Sequence, residues 1–146
     1  MNILKSITVT GFLILAIGIN LSGQCKTFAR NTCLPALGDY THDGNYHATV
    51  LMEGEEAELY KTFYSDMEYR LAICGDEALP PVEFTVLDAN RNIVYSNKDS
   101  GMSGVWDFKL ESSQQLKIAI RVGTSGSAGS TPAKGCVSIM FGFRVK

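Results

Sequence analysis

Two histidines and an aspartate lie close together in residues 41–47. His42, Asp43 and His47 carry imidazole and carboxylate groups, which are common ligands of transition metals. The histidines are five residues apart, a spacing that suits neither one face of a helix nor one face of a strand. A solvated loop is therefore the favoured interpretation, and we predict no metal site and no cofactor.

The densest group of acids lies a few residues further on, where Glu53, Glu55, Glu56 and Glu58 surround Gly54. Glycoside hydrolases need two carboxylates on opposite sides of their substrate. Acids on both sides of a glycine are more typical of a solvated hairpin turn. The chain carries neither a G-x-S-x-G nucleophile motif nor a G-x-x-x-x-G-K-[ST] phosphate loop. A small secreted hydrolase is therefore the less favoured alternative, and we name no catalytic residue.

Tyrosines suggest a different chemistry, because aromatic rings with a polar tip are common at binding surfaces and can stack on sugar rings. Tyr60 and Tyr64 alternate with Leu59 and Phe63 along one predicted strand. One of these two sets must face outward or toward a second sheet. Trp106 shares a face with other apolar residues and is expected to pack in the core. Tyr60 and Tyr64 are therefore our candidate ligand-binding residues, with a glycan as the ligand.

The cysteines predict an oxidised, cross-linked chain. Cys25, Cys33, Cys74 and Cys136 are even in number, which indicates disulfides in an exported protein. No two of them have the C-x₂₋₄-C spacing of zinc sites. Three pairings are possible, and sequence alone does not choose among them. We favour Cys25–Cys33 as a local clip together with Cys74–Cys136 as a cross-strand pair, because both sulfurs of the second pair are expected to point away from the core.

Short segments with two-residue alternation fill most of the chain after residue 45. In one of them Leu116, Ile118 and Ile120 alternate with Lys117 and Ala119. This alternation indicates half-buried strands, and breakers such as Gly-Asp and Pro-Pro separate the segments. Eight close-spaced strands predict an all-β fold, an antiparallel β-sandwich or jelly roll. The predicted strands are residues 46–52, 57–64, 67–74, 82–88, 92–97, 105–110, 116–122 and 136–145.

The first 23 residues have the pattern of a secretory signal peptide. Lys5 precedes an apolar run over residues 7–19, which is shorter than the roughly 20 residues that cross a bilayer. We predict cleavage after Gly23, or after Gln24. Residues 24–45 then form a disulfide-clipped N-terminal segment, with a short helix over 26–37 that Pro35 limits. Residues 46–146 form the sandwich domain.

Composition sets the outer limits on function. The chain has 146 residues, of which 45% are hydrophobic and 19% charged, and its formal net charge is −2. These values fit one globular domain and exclude a disordered acidic chain. Dispersed Lys and Arg residues exclude a basic nucleic-acid-binding stripe. Residues 123–135 are the one Gly/Ser-rich stretch, which predicts a flexible connection, with an adaptable binding loop as the alternative.

Short motifs spread over nearly the whole mature chain carry a family resemblance. They are Q-C-K-x-F from Gln24, C-L-P from Cys33, T-F-Y-S-x-x-E-Y-R-x-x-x-C from Thr62, F-x-x-L-D-A-N-R-N from Phe84, W-D-F from Trp106 and K-G-C-V from Lys134. They resemble a family of small exported bacterial proteins of uncharacterised activity, which implies an extracytoplasmic β-sandwich and no transferable site residues. The back half is loosely similar to pre-peptidase C-terminal domains, although residues 88–92 lack the glycine of their hairpin. That likeness implies an accessory sandwich module.

These features together predict an exported, non-enzymatic β-sandwich protein, periplasmic or extracellular. It would act through surface contact with a protein or glycan of the cell envelope. A carbohydrate-binding module is the first alternative. The sequence predicts no nucleic-acid partner and no membrane span in the mature protein.

Overall fold

The computed structural model describes residues 21–126 and 129–145. The predicted signal peptide lies outside these residues, apart from residues 21–23. Residues 127–128, in the predicted Gly/Ser-rich connection, also lie outside them. Among the described helices, none has the length and apolar character needed to cross a membrane.

An N-terminal helical segment precedes the strands. It consists of helix α1 (Leu21–Phe28), a π-helical turn (Ala29–Cys33) and a 3₁₀ turn (Leu34–Leu37). The predicted helix is therefore present, but it begins before residue 26. The strands are β1 (Thr41–His42), β2 (His47–Met52), β3 (Glu56–Phe63), β4 (Met67–Gly75), β5 (Val82–Leu87), β6 (Ile93–Ser96), β7 (Val105–Lys109), β8 (Gln114–Val122) and β9 (Lys134–Val145), with a 3₁₀ turn (Asn97–Ser100) after β6.

The strands form two antiparallel sheets, which confirms the predicted sandwich. The five-stranded sheet has the order β1-β9-β4-β7, with β2 also paired to β9. The four-stranded sheet has the order β3-β8-β5-β6. All eight predicted strands are present within a few residues of their predicted ends. The two-residue strand β1 is an addition, in a segment that the sequence predicted as a linker.

The main core fills the space between the sheets. Each strand contributes every second side chain to it, as the alternation predicted. Trp106 is half-buried and packs against this core, as expected. The largest fully buried hydrophobic side chains of the main core are Phe63, Phe84, Phe141, Leu71, Leu116, Ile118, Val86, Val122 and Val137.

A second, smaller core lies on the outer face of the five-stranded sheet. Ala72 of β4 and Met140 of β9 are fully buried there against Ala29, Cys33 and Leu37 of the helical segment. Strand β9 is consequently buried on both faces over Val137–Gly142. Its nearly continuous apolar sequence is typical of a strand that is covered on both sides.

Two disulfides hold the helical segment on this sheet. They join Cys25 to Cys136 and Cys33 to Cys74, with Cα–Cα distances of 5.3 Å and 5.6 Å. The prediction that all four cysteines are oxidised is confirmed. The favoured pairing of Cys25 with Cys33 and of Cys74 with Cys136 was wrong.

Strand register explains why the pairing differs. Cys74 lies opposite Ser138, so that Cys136 is displaced by two residues along β9. Diagonal neighbours of this kind are about 7–8 Å apart, beyond the usual reach of a disulfide. Cys25 and Cys33 are eight residues apart on a helical segment, which separates them by about 12 Å along the axis. Both strand sulfurs do point away from the main core, as predicted, but they face the helical segment.

Candidate functional site

The outer face of the four-stranded sheet is the counterpart of the covered face. On β5 and β8 the side chains of Phe84, Val86, Ile118 and Ile120 enter the core, so the residues between them point outward. Within the described residues the N-terminal helical segment packs on β2, β4 and β9, and the helical element that contacts β5 is the 3₁₀ turn at Asn97–Ser100. We call it the open face.

Cross-strand register arranges the open face in rows. A central row contains Glu58 followed by the short side chains of Ala119, Thr85 and Ser96, each residue opposite the next. Above this row lies a cavity of about 540 Å³. One flanking row contains Glu56, Arg121 and Glu83, and the other contains Tyr60, Lys117, Leu87 and Ile93.

Charged residues around the small central row are paired with one another. Lys98 Nζ lies 2.6 Å from Glu83 Oε1, and Lys117 Nζ lies 3.0 Å from Glu58 Oε2. Arg121 Nη1 lies 3.8 Å from Glu56 Oε1. Exposed ion pairs such as these contribute little to folding stability. Their side chains can therefore exchange partners for those of a bound molecule at small cost.

Apolar side chains are exposed at one end of the open face. Tyr60 is 55% exposed and Ile93 is 67% exposed, and Val94 beside it is also exposed. Large exposed apolar groups beside a concave surface are typical of interaction sites. The open face therefore combines a shallow floor, exchangeable charges and an apolar end.

The two flanks of the sandwich, where the sheet edges meet, also differ. Between β6 and β7, Trp106 stacks on Tyr95 at 4.5 Å and on Phe108 at 4.2 Å between ring centroids. This column of rings fills the gap between the sheets. Between β2 and β3 lies a cavity of about 330 Å³, and a second cavity of about 220 Å³ lies further along β3, between β3 and strands β4 and β9.

A polar bridge crosses the β2–β3 flank. Lys61 Nζ of β3 lies 2.8 Å from Asp43 Oδ2, just before β2, and 4.8 Å from the ring centroid of Phe141. Burial acts to raise the pKa of Asp43, but hydrogen bonds from Lys61 and Asn45 and the charge of Lys61 together lower it below its ordinary value. Burial lowers the pKa of His47, which packs edge-on against Phe141.

The tyrosines singled out from the sequence are both 55% exposed but lie at different places. Tyr60 is at the apolar end of the open face. Tyr64 lines the smaller flank cavity with Tyr69 and Phe143. Four residues along an extended chain place their backbones about 13 Å apart. A role in glycan binding stays a prediction for both residues.

The polar clusters considered in the sequence are engaged in local structure. His42 Nε2 lies 3.6 Å from Asp43 Oδ1, but no group of three or more metal-ligating side chains occurs in the described residues. Glu55 Oε2 accepts a hydrogen bond from the Met52 N–H, and Glu53 Oε1 accepts one from the Ser125 N–H. These two acids stabilise the β2–β3 turn.

The small central row of the open face was not recognised from the sequence. Its members come from different strands, so they are not close in sequence. The sequence did contain a clue. In the alternating segments of β5 and β8, the outward positions 85 and 119 carry the short side chains of Thr85 and Ala119. The β2–β3 flank was not recognised from the sequence either, because only the sheet topology shows that β2 and β3 belong to different sheets.

Comparison with known proteins gives a likeness among solved structures. No family model matches the chain, and no curated protein matches it. The crystal structure of PliG from Aeromonas hydrophila, a periplasmic lysozyme inhibitor of g-type lysozyme, is similar with a TM-score of 0.51 and 12% sequence identity. The match covers 73% of this chain and 89% of PliG. At this identity the likeness shows a shared fold.

Proposed function

We propose that this is an exported, non-enzymatic protein that binds another protein through its open face. The observation that carries the proposal is the contrast between the two outer faces. One is covered by a segment held with two disulfides, and the other presents a cavity of about 540 Å³ with an exposed apolar end.

Export is supported by the disulfides together with the signal-like N-terminus. Structural disulfides form and persist in oxidising compartments. The four cysteines of this chain are all consumed in such bonds. A periplasmic or extracellular location is therefore part of the proposal.

A protein partner is supported by the nature of the open face. Its charges are paired across strands and its apolar groups are at one end, which suits a mixed polar and apolar contact area. PliG, which shares the fold, is an inhibitor of an enzyme and binds a protein. A g-type lysozyme is accordingly the first partner to test.

The test compares two threonine-to-arginine variants. Thr85→Arg places a long side chain on the floor of the open face, whereas Thr27→Arg changes an exposed residue of helix α1. Binding of the oxidised protein to g-type lysozyme is measured by calorimetry, and lysis of cell walls is followed in parallel. We expect binding that Thr85→Arg abolishes and Thr27→Arg leaves unchanged.

A second arm covers other protein partners. A photo-cross-linking residue replaces Thr85 or Thr27 in cells that export the protein. We expect a discrete cross-linked product from position 85 only. The proposal is wrong if lysozyme is not bound and cross-linking from the two positions is the same.

Carbohydrate binding is the second candidate function, favoured by the exposed rings of Tyr60 and Tyr64. Retention on an immobilised polysaccharide that Tyr60→Ala or Tyr64→Ala abolishes would support it. Ile93→Ala is the matched control, since Ile93 is an exposed non-aromatic residue on the open face. Equal retention of all variants would argue against stacking by these rings.

A further inference from the structure

The β2–β3 flank exposes the edges of two strands to one groove. The tight turn at residues 53–55 joins β2 and β3 but sends them into different sheets. Within the described residues, β3 pairs only with β8, and β2 pairs only with β9. Every second N–H and C=O group of such an edge points away from its sheet and is available to another strand.

Strand β3 is the longer edge of its sheet. It extends over eight residues, whereas β6 at the opposite edge has four. The β6 side is also next to the stacked rings of Tyr95 and Trp106. The first half of β3 borders open space instead, because Ala57 and Leu59 line the flank cavity of about 330 Å³.

The floor of this groove is part of the main core. Ile120, Val137 and Ile139 line the cavity from below, and each is nearly inaccessible to solvent. An extended chain beside β3 would direct alternate side chains onto this floor. Because this floor is already buried, apolar side chains at those positions would remove from water mainly the remaining exposed surface of Ala57 and Leu59.

Charged side chains on β3 limit both the length and the chemistry of a strand that could be added to it. Lys61 points inward from β3 toward Asp43 and Phe141, and an inward charge on an edge strand disfavours pairing beyond it. The stretch left available is residues 56–60. On its outer side it presents Glu56 and Glu58, which are ion-paired with Arg121 and Lys117 of β8 and can share these contacts with basic side chains of an added strand.

We propose that residues 56–60 of β3 bind an extended segment of a partner protein as an added strand. The segment has apolar residues at alternate positions, which enter the groove over Ile120, Val137 and Ile139. It has basic residues at the intervening positions, beside Glu56 and Glu58. This is strand addition, in which backbone hydrogen bonds supply affinity and alternate side chains supply specificity. The site borders the open face, because Glu56 and Glu58 also line the cavity there, but its backbone edge on β3 lies two strands away from Thr85 on β5.

The test uses a capped five-residue peptide of alternating valine and lysine, titrated into the isotope-labelled, oxidised protein. We expect amide shifts in residues 56–60 and methyl shifts at Ile120 and Ile139. Two N-methylated peptides provide the decisive control. In an added strand, alternate peptide N–H groups face β3 and the others face away. Methylating the nitrogens that face β3 should remove the hydrogen bonds and abolish binding, whereas methylating the nitrogens that face away should leave binding unchanged.

Charge reversal provides the second control. The double variant Glu56→Lys and Glu58→Lys should weaken the affinity for the valine–lysine peptide by about tenfold. It should bind a valine–glutamate peptide more tightly than the wild type does. A variant with Asp99→Lys and Glu111→Lys carries the same charge change at exposed sites away from β3 and should bind as the wild type does.

Two results would overturn strand addition. One is the absence of shifts at about 1 mM peptide, the weak end of measurable specific binding. The other is equal binding of both N-methylated peptides, which would show attraction by charge alone. Thr85→Arg should leave peptide binding intact, so this proposal and the open-face proposal can fail separately.

Discussion

On the five-stranded sheet, the outer side chains of Ala72, Ser138 and Gly142 are small, and the helical segment packs directly onto them. On the four-stranded sheet, Thr85 and Ala119 are similarly small, but among the described residues the N-terminal helical segment packs on the other sheet, and Thr85 and Ala119 line a cavity instead. Small outward residues make a sheet face approachable in both cases. The difference is that the chain supplies its own cover for one face, with two disulfides to hold it. The open face is therefore the one available to another molecule.

Removal of the disulfides should have the largest effect on this contrast. Serine at Cys25 and Cys136 opens a closure of 111 residues, and serine at Cys33 and Cys74 opens one of 41 residues. Loop entropy assigns roughly 5 and 4 kcal/mol to these bonds, and native bonds typically contribute about 2–5 kcal/mol. We expect the free energy of unfolding in urea to fall by amounts in this range for each double variant, with the open-face cavity unaffected in the folded fraction.

The result would contradict our account if either double variant unfolded at the wild-type urea midpoint. It would show that packing of the helical segment is sufficient without a covalent link. Intact mass under non-reducing conditions provides the control, because the wild type should contain no free thiol.

A matched pair of small-to-larger substitutions should give an intermediate effect. The added methyl group of Gly142→Ala would lie 2.7 Å from Tyr40 Cβ and 3.3 Å from Leu37 Cδ2, so Tyr40 and the adjoining end of the helical segment must shift. Overpacking of this kind costs about 1–3 kcal/mol. Ala119→Val on the open face adds two methyl groups beneath the cavity and should change stability by less than about 0.5 kcal/mol.

Thermal unfolding of the two variants measures the difference directly. Equal losses would mean that the open face is as tightly packed as the covered one. That outcome would remove the structural basis for a docking site on the four-stranded sheet.

Acidification should give the smallest effect, at the flank between the two faces. Burial lowers the pKa of His47 below its ordinary value of 6.5, so the unfolded chain binds more protons as the pH falls below that value. The pKa of Asp43 is lowered below 3.8, so its contribution is present above that value and is lost as the pH falls further. Stability should therefore decline in two steps on acidification.

Urea midpoints measured across this range test the assignment. His47→Gln should remove the first step, which begins as the pH falls below about 6.5, and leave the second. If the first decline in stability persisted in His47→Gln, another titrating group would be responsible for it. The exposed ion pairs of the open face should be weakened by added salt, and His47→Gln should leave them unchanged.

The strands could be predicted well from the sequence because a half-buried strand alternates apolar and polar residues with a period of two. Residues such as Leu116, Ile118 and Ile120 identify a strand without knowledge of its neighbours. The same reasoning identified four oxidised cysteines, since export and an even count are properties of the chain. It also noted Tyr60 and Tyr64 as outward residues, and both are exposed.

The errors all concern which elements are neighbours. The cysteine pairing depends on the two-residue offset between Cys74 and Cys136 and on a helical segment lying over both. The open-face row depends on the register of four strands. The groove depends on β2 and β3 joining different sheets, although a hairpin-like turn connects them.

The amino-acid sequence by itself determined the positions of the eight longer strands, the antiparallel sandwich class and the oxidised state of the cysteines. Each of these follows from local periodicity or from composition. The tertiary structure alone decided which face is covered, which cysteines bond and which flank is open. These depend on distances between residues far apart in sequence, and strand register sets those distances through backbone hydrogen bonds that every residue except proline can make.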